Sequence, residues 1–278
     1  MPIGWEWDET LYLGSAPYYA RGRPPYAAGL ADRLAKVLEL DGTGRLIDVG
    51  CGPGILTLVL APLFEEVVGV DPDAEMLAAA EHRAAEAGIG NARWAPARAE
   101  DLSVSLGPFR VATFGQSFHW MDRPRVAAIV FNLLAPGGAF VQVSDVKETR
   151  AAPAADLPRP SPPYDAIRAL VQRYLGPVRR AGQGILQHGT PDGEAIVLNR
   201  AGFAYQERLR LRAAEALLRD ADNVVAWVYS RSDSAPHLFG GPGGEFETEL
   251  RRLLHEASPS GLFADRPPDT KVFVWRKP

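Results

Sequence analysis

Apolar residues recur along this chain in two alternating periods, and the switches between them predict its elements. Leu30, Leu34, Val37 and Leu38 fall at helical spacing between Pro24-Pro25 and Asp41-Gly42, which predicts a helix within 26–40. The short apolar run 45–50 predicts a strand and 54–61 a helix; 66–71 and 73–87 repeat the pair, with Gly88 as the stop. A short strand over 91–96 and another over 110–115 follow. A helix near 123–134 then carries Val126, Ile129, Val130 and Leu133 on one face, and Pro136-Gly137-Gly138 turns into a strand over 139–146. Strands alternating with amphipathic helices predict a doubly wound α/β fold, a Rossmann-like parallel sheet with helices on both faces.

After Val146 the pattern loosens. Residues 151–163 are rich in Ala and Pro, a helix is expected near 164–175, and Gly-rich sequence runs to about 190. Thr190-Pro191 opens a short helix that ends at Gly202, before a strand over 204–211. Helices near 222–231 and 245–256 lead to a last strand, 271–277. Four segments are expected: 1–43 as N-terminal lid and first helix, 44–146 as core, 147–203 as cap insertion and returning helix, and 204–278 as the closing strands and helices.

The chemistry concentrates at the carboxyl ends of the predicted strands, where open α/β sheets bind ligands. LIDVGCGPG, 46–54, is a strand running into a loop with glycine at 50, 52 and 54 and a helix directly behind it. Such a loop lets a ligand lie against the main chain. Asp48 sits inside the apolar strand, where a carboxylate needs a partner, and it suits a ligand with a cationic group. Asp71 closes the second strand, where an acidic side chain can take ribose hydroxyls; Asp73 is the alternative helix cap. Met76 is placed either against a purine or in the core. Glu100, in Ala99-Glu100-Asp101, can accept from an exocyclic amine. FGQSFHW, 114–120, ends the fourth strand with Gln116 and Ser117, then crowds Phe118, His119 and Trp120 toward the cleft.

Composition narrows the classes. The single cysteine, Cys51, allows no internal disulfide and no thiolate cluster, and His82, His188, His237 and His255 lack metal-ligand spacing, so no metal is expected. A net charge of −4 argues against non-specific nucleic-acid binding. No apolar stretch has the length of a membrane span, and MPIGWEWDET does not read as a secretory signal. A cytoplasmic location is the expectation.

LIDVGCGPG, VVGVDPDAEML, ARAEDL, VATFGQSFHWMD and LLAPGGAFV, in this order and spacing, resemble the class I S-adenosylmethionine-dependent methyltransferases over residues 40–146. The Ser-Phe-His-Trp end of the fourth strand and the Tyr19, Arg23, Pro24 pattern resemble its small-molecule group, which includes relatives of trans-aconitate methyltransferase. Ala97 and Arg98 stand where that group often has Gly-Asp. The resemblance implies a seven-stranded sheet whose last strand is antiparallel and inserted beside the fifth. It also implies S-adenosylmethionine as cofactor and a small-molecule methyl acceptor. It gives Gly50, Gly52 and Gly54 to the methionine portion, with Asp48 favouring its ammonium. Asp71 goes to the ribose, Met76, Ala99 and Glu100 to adenine, and Gln116 to the methionine end, with Cys51, Pro72 and Ser117 as further cofactor-binding residues. Arg23 would pair with the carboxylate, with Tyr19 closing over it as part of a lid.

Methyl transfer from a sulfonium is an in-line displacement that asks mainly for alignment and exclusion of water. An oxygen or carbon acceptor, expected before nitrogen, needs a proton removed, and His119 is the candidate base. Trp5, Trp7, Tyr12, Tyr18, Trp120, Trp227 and Tyr229 suggest an apolar acceptor. Three alternatives stand beside this reading. A nicotinamide-dependent oxidoreductase would need glycine where Ile55 stands. A nucleic-acid methyltransferase would use Ser161-Pro162-Pro163-Tyr164, which here lies in a proline-rich stretch and reads as a turn before a helix. The third is a cofactor-binding protein of the same fold without transfer.

Overall fold

A computed structural model of the chain describes residues 8–146, 157–178, 180–181, 184–185, 193–214 and 216–278. Seven strands form its main sheet: β1 (Arg45–Val49), β2 (Glu66–Asp71), β3 (Ala92–Pro96), β4 (Phe109–Gly115), β5 (Leu134–Asp145), β6 (Ala204–Leu211) and β7 (Thr270–Arg276). Their order is β3-β2-β1-β4-β5-β7-β6. Neighbours from β3 to β5 pair in parallel, and β7 lies antiparallel between β5 and β6. This is the seven-stranded, mostly parallel arrangement expected, with the last strand inserted beside the fifth.

The described residues fall into two bodies. The sheet body is drawn from 26–146, 191–212 and 269–278, the helical body from 1–25, 147–190 and 213–268. In the sheet body, α1 (Leu30–Leu38), α2 (Ile55–Leu60), α3 (Ala74–Glu86), α4 (Arg123–Leu133) and α5 (Glu194–Arg200) accompany the strands. Strand alternation divides the core between the two faces of the sheet. Leu46 packs with Leu30, Leu34, Leu56 and Val274 on one face. Ile47 and Val49 pack with Phe114, Phe140, Val126 and Phe203 on the other. Asp48 shares the parity of Leu46 and so faces α2.

Several boundaries differ from the sequence expectation for local reasons. The first helix starts at Leu30 because Gly29, at φ +79°, breaks the chain before it; it stops at Leu38 because Glu39 turns left-handed at φ +52°. β5 begins at Leu134, so the Pro136–Gly138 turn lies within a strand whose register with β4 shifts between Phe109 and Val111.

The helical body holds helices Ala16–Gly22, Tyr164–Leu175, Ala221–Tyr229 and Glu245–Ala257, with a two-stranded antiparallel ribbon of Leu217–Asp220 and Leu262–Asp265. Val224, Val228, Tyr229, Phe246, Leu250 and Phe263 form its core. Helix Ala16–Gly22 and the ribbon are absent from the sequence reading. Tyr164 begins the Tyr164–Leu175 helix, its ring edge-on to Trp227 and its hydroxyl bonded to Asp265, so the Pro-Pro-Tyr segment opens a helix as expected. Trp5, Trp7, His188 and residues 147–156 lie outside the described residues. Among the described residues, no helix is long and apolar enough to cross a membrane.

Candidate functional site

β1 and β2 end side by side, and the loop from Gly50 to Gly54 is bound to both. The Gly50 and Cys51 amides donate to the Val70 carbonyl at 2.7 and 3.0 Å, and the Gly52 amide donates to Asp71 Oδ2 at 2.8 Å. Two glycines have separate reasons. Gly50, at φ +69°, lies so close to Ser117 that a Cβ would stand 2.6 Å from the Ser117 Cβ. Gly52, at φ +52°, has nothing within 4 Å of where a Cβ would be, so its bare main chain faces open space. Gly54 caps the start of α2 and packs beneath Trp94.

Asp48 is 1% exposed and belongs to the layer beneath the loop. Thr57 Oγ1 donates to its Oδ2 at 2.6 Å, and Thr113 Oγ1 donates to its Oδ1 at 2.8 Å. Burial pushes this carboxyl up to about 6 despite both hydroxyls, because neutral donors do not replace water and bring no opposite charge. Asp71 accepts at both oxygens, from the Gly52 amide and from the Asp73 amide at 3.0 Å. Burial raises it to about 6 as well, with the charges of Asp73 and Asp48 adding to the rise. Asp73 is the cap of α3, accepting from the Glu75 and Met76 amides, which leaves Asp71 out of that role. A carboxylate has about four acceptor positions, so Asp71 keeps capacity beyond its two backbone donors.

The remaining expected residues separate into two groups. Gln116 holds φ +58°, a left-handed backbone for a residue with a Cβ, and its amide donates to the Val143 carbonyl at 3.0 Å. Strain of this kind costs about 1–3 kcal/mol and concentrates where function requires it. Ser117 donates to the Val49 carbonyl at 2.6 Å and so ties the end of β4 to the end of β1. His119 lies in the single turn Phe118–Trp120, partly exposed, its ring 5.2 Å from that of Trp120. Pro72 is partly exposed between Asp71 and Asp73.

Met76, Ala99 and Cys51 are buried side chains. Burial, then the charges of Asp71 and Asp48, hold the Cys51 thiol well above its usual range, so it stays protonated. Glu100 is 4% exposed; its Oε1 accepts from the Asp122 amide at 2.9 Å, and Arg98 stands 3.8 Å from its Oε2. Arg98, the departure from the group's pattern, thus faces the glutamate. Tyr19 and Arg23 belong to the helical body. There Arg23 donates to the Ser230 carbonyl at 2.8 Å and lies 4.9 Å from the Tyr19 ring centroid.

The sequence reading missed three residues that shape this site. Thr57 and Thr113 hold Asp48, and Arg83 donates to the Pro53 carbonyl at 2.7 Å, tying α3 to the loop. The signal for the threonines was present. A carboxylate inside an apolar strand demands donors, and each threonine is a lone hydroxyl in an apolar run at matching depth. Arg83 carried no such signal.

The arrangement is therefore an open backbone cradle at Gly52 between two carboxylates that, among the described residues, meet only neutral donors. It suits a ligand that brings hydroxyls and positive charge. Residues 46–138 match the methyltransferase domain family. The chain is 34% identical over 139 residues to the probable S-adenosylmethionine-dependent methyltransferase CRG1 of Saccharomyces cerevisiae, covering 48% of this chain and 47% of that protein. It is 39% identical over 102 residues to trans-aconitate 2-methyltransferase of Mycobacterium sp. (strain KMS), covering 36% of this chain and 37% of that protein. The chain thus spans about half or less of the length of these relatives. In fold it is similar to a structure named as a methyltransferase from Bacillus halodurans, with TM-score 0.52 and 16% identity over 90% of this chain and 100% of that one. A structure named as a type II methyltransferase from Anaeromyxobacter dehalogenans gives TM-score 0.51 and 23% identity over 91% and 96%. Over residues 46–138 the chain is thus similar to S-adenosylmethionine-dependent methyltransferases.

Proposed function

We propose that this protein moves a methyl group from S-adenosylmethionine to a small-molecule acceptor, at oxygen or carbon rather than nitrogen, by in-line displacement. The observation that carries the reading is the pairing of the Gly52 cradle, where a Cβ would meet nothing within 4 Å, with Asp48 and Asp71, which meet no cationic partner among the described residues. The residues fit the cofactor in charge and in shape. Asp71 takes the ribose hydroxyls with the acceptor positions its backbone donors leave free. Asp48 acts through the loop as a buried negative charge that favours the ammonium. Gln116, held in its strained backbone, serves the methionine end.

The sulfonium supplies an activated methyl group, so the chain's task is to orient the acceptor and keep water out. His119, at the end of β4, takes the acceptor's proton as imidazole and is the one residue given a proton-transfer role. His119→Ala should lower the maximal rate about a hundredfold while cofactor affinity stays level. An equally fast variant removes His119 from the mechanism and leaves positioning alone.

Release of S-adenosylhomocysteine across a panel of small hydroxyl and carbon-acid acceptors tests the reaction itself. Turnover with any of them supports transfer. Tight cofactor binding with no turnover on any acceptor supports the binding-only alternative.

A further inference from the structure

Thr57 and Thr113 come from different elements, α2 and β4, yet both aim their single hydroxyl proton at the Asp48 carboxylate, one at each oxygen. Both are fully buried, out of reach of bulk solvent. The Thr57 main chain adds to the same side of the balance. A threonine hydroxyl that donates to a carboxylate favours the charged form. A protonated Asp48 would present its own O–H to one of these hydroxyls and break that donation. Among the described residues, the titratable groups coupled to Asp48 are Asp71 from β2 and the Cys51 thiol from the loop, which stays neutral. Both oppose its ionisation or leave it unaided. α2, with sequence ILTLVL, brings no titratable side chain, and β4 brings only Arg110, near its opposite end.

We propose that Thr57 and Thr113 are positioning residues that keep Asp48 ionised beneath the glycine loop, and so set the site's preference for ligands carrying an ammonium group. This rests on the reading of the loop as the S-adenosylmethionine site and adds what controls its charge. Neither threonine touches the ligand in this account; each acts through Asp48.

The experiment compares two probes on the full chain by calorimetry between pH 5 and 8.5. S-adenosylhomocysteine carries the ammonium, and 5′-methylthioadenosine shares the nucleoside and sulfur without the amino-acid portion. Asp71 affects both probes through the ribose, so the ratio of the two affinities isolates Asp48. In the native chain this ratio should fall as pH drops through the region of 6. Thr57→Val and Thr113→Val should each move the midpoint of the ratio up by about one pH unit and so lower the ratio about twofold at pH 7. Thr57→Ser and Thr113→Ser, which keep the donor, should restore both. Asp48→Asn should make the ratio independent of pH, and it carries the test if a valine variant fails to fold. An unchanged ratio and midpoint in the valine variants, or a pH-dependent ratio in Asp48→Asn, overturns the inference while the native binding stands. A native chain that binds neither probe removes the site reading itself, and this inference with it.

Discussion

The two ends of the main sheet treat acidic side chains in opposite ways. At the amino ends of the strands, Glu66 of β2 accepts from Arg45 of β1 and from Arg93 of β3, the latter at 2.9 Å, and these two bonds hold its carboxyl below the usual range. Asp41, before β1, is lowered by the Thr43 hydroxyl and then by Arg110. At the carboxyl ends, Asp48 and Asp71 meet only hydroxyls and backbone amides among the described residues, and burial lifts both to about 6. The helical body follows the first pattern, with Arg251 between Asp222 and Glu247 and Arg173 on Glu249. In these pairs an arginine balances the carboxylate. At Asp48 and Asp71 the negative charge is left for something else to balance, and we assign that role to the ligand.

Breaking the carboxyl end should produce the largest effects. Gly50→Ala forces a Cβ to within 2.6 Å of the Ser117 Cβ at a positive φ. It should cost about 3 kcal/mol of stability, seen in thermal or denaturant unfolding, and remove S-adenosylhomocysteine binding. Asp71→Ala should weaken that ligand by about 1–3 kcal/mol in calorimetry through lost charge-assisted hydrogen bonds. Unchanged affinity would reduce Asp71 to an anchor for the Gly52 and Asp73 amides.

A pH series sharpens the contrast. Folding raises Asp48 and Asp71 from 3.8 to about 6, so the folded chain binds more protons than the unfolded chain between those values. Their contribution to stability is therefore greatest below about pH 4, declines as pH rises to about 6, and is level above. Ligand affinity should run the other way, falling about tenfold as pH drops a unit below 6, since a cationic ligand needs the carboxylates. Glu66 has the opposite sign, its stabilisation being lost as pH falls. Glu66→Gln should cost less than about 1 kcal/mol, because the ion pairs are partly exposed, and should leave ligand affinity unchanged. A binding defect in that variant would erase the distinction between the two ends.

Elements whose partners are local or whose hydrophobic period is clean were legible in the chain. β2, β6 and the Tyr164–Leu175 helix begin and end where the pattern puts them. The Ala16–Gly22 helix was not legible, since seven residues of APYYARG carry too little period. It is held by partners far along the chain: Ser15 donates to the Tyr229 carbonyl at 2.8 Å, and Gly22 lies against the Ala226 main chain. The 217–220 and 262–265 ribbon is a distant pairing of the same kind. In the site, the glycines and Asp71 announced themselves by spacing. Asp48 announced a need for donors without naming them, and only the folded sheet brings Thr57 and Thr113 to its two oxygens. Arg98 read as a departure and proves to face Glu100 at 3.8 Å.

Proton exchange on binding tests most directly whether the unbalanced carboxylates receive the sulfur cofactor. S-adenosylhomocysteine and NAD would be titrated into the native chain near pH 6, in buffers of differing ionisation enthalpy. The account predicts binding of S-adenosylhomocysteine with net release of protons, as Asp48 and Asp71 ionise against the ligand, and no binding of NAD. Binding without proton release, or heat from NAD and none from S-adenosylhomocysteine, would contradict it.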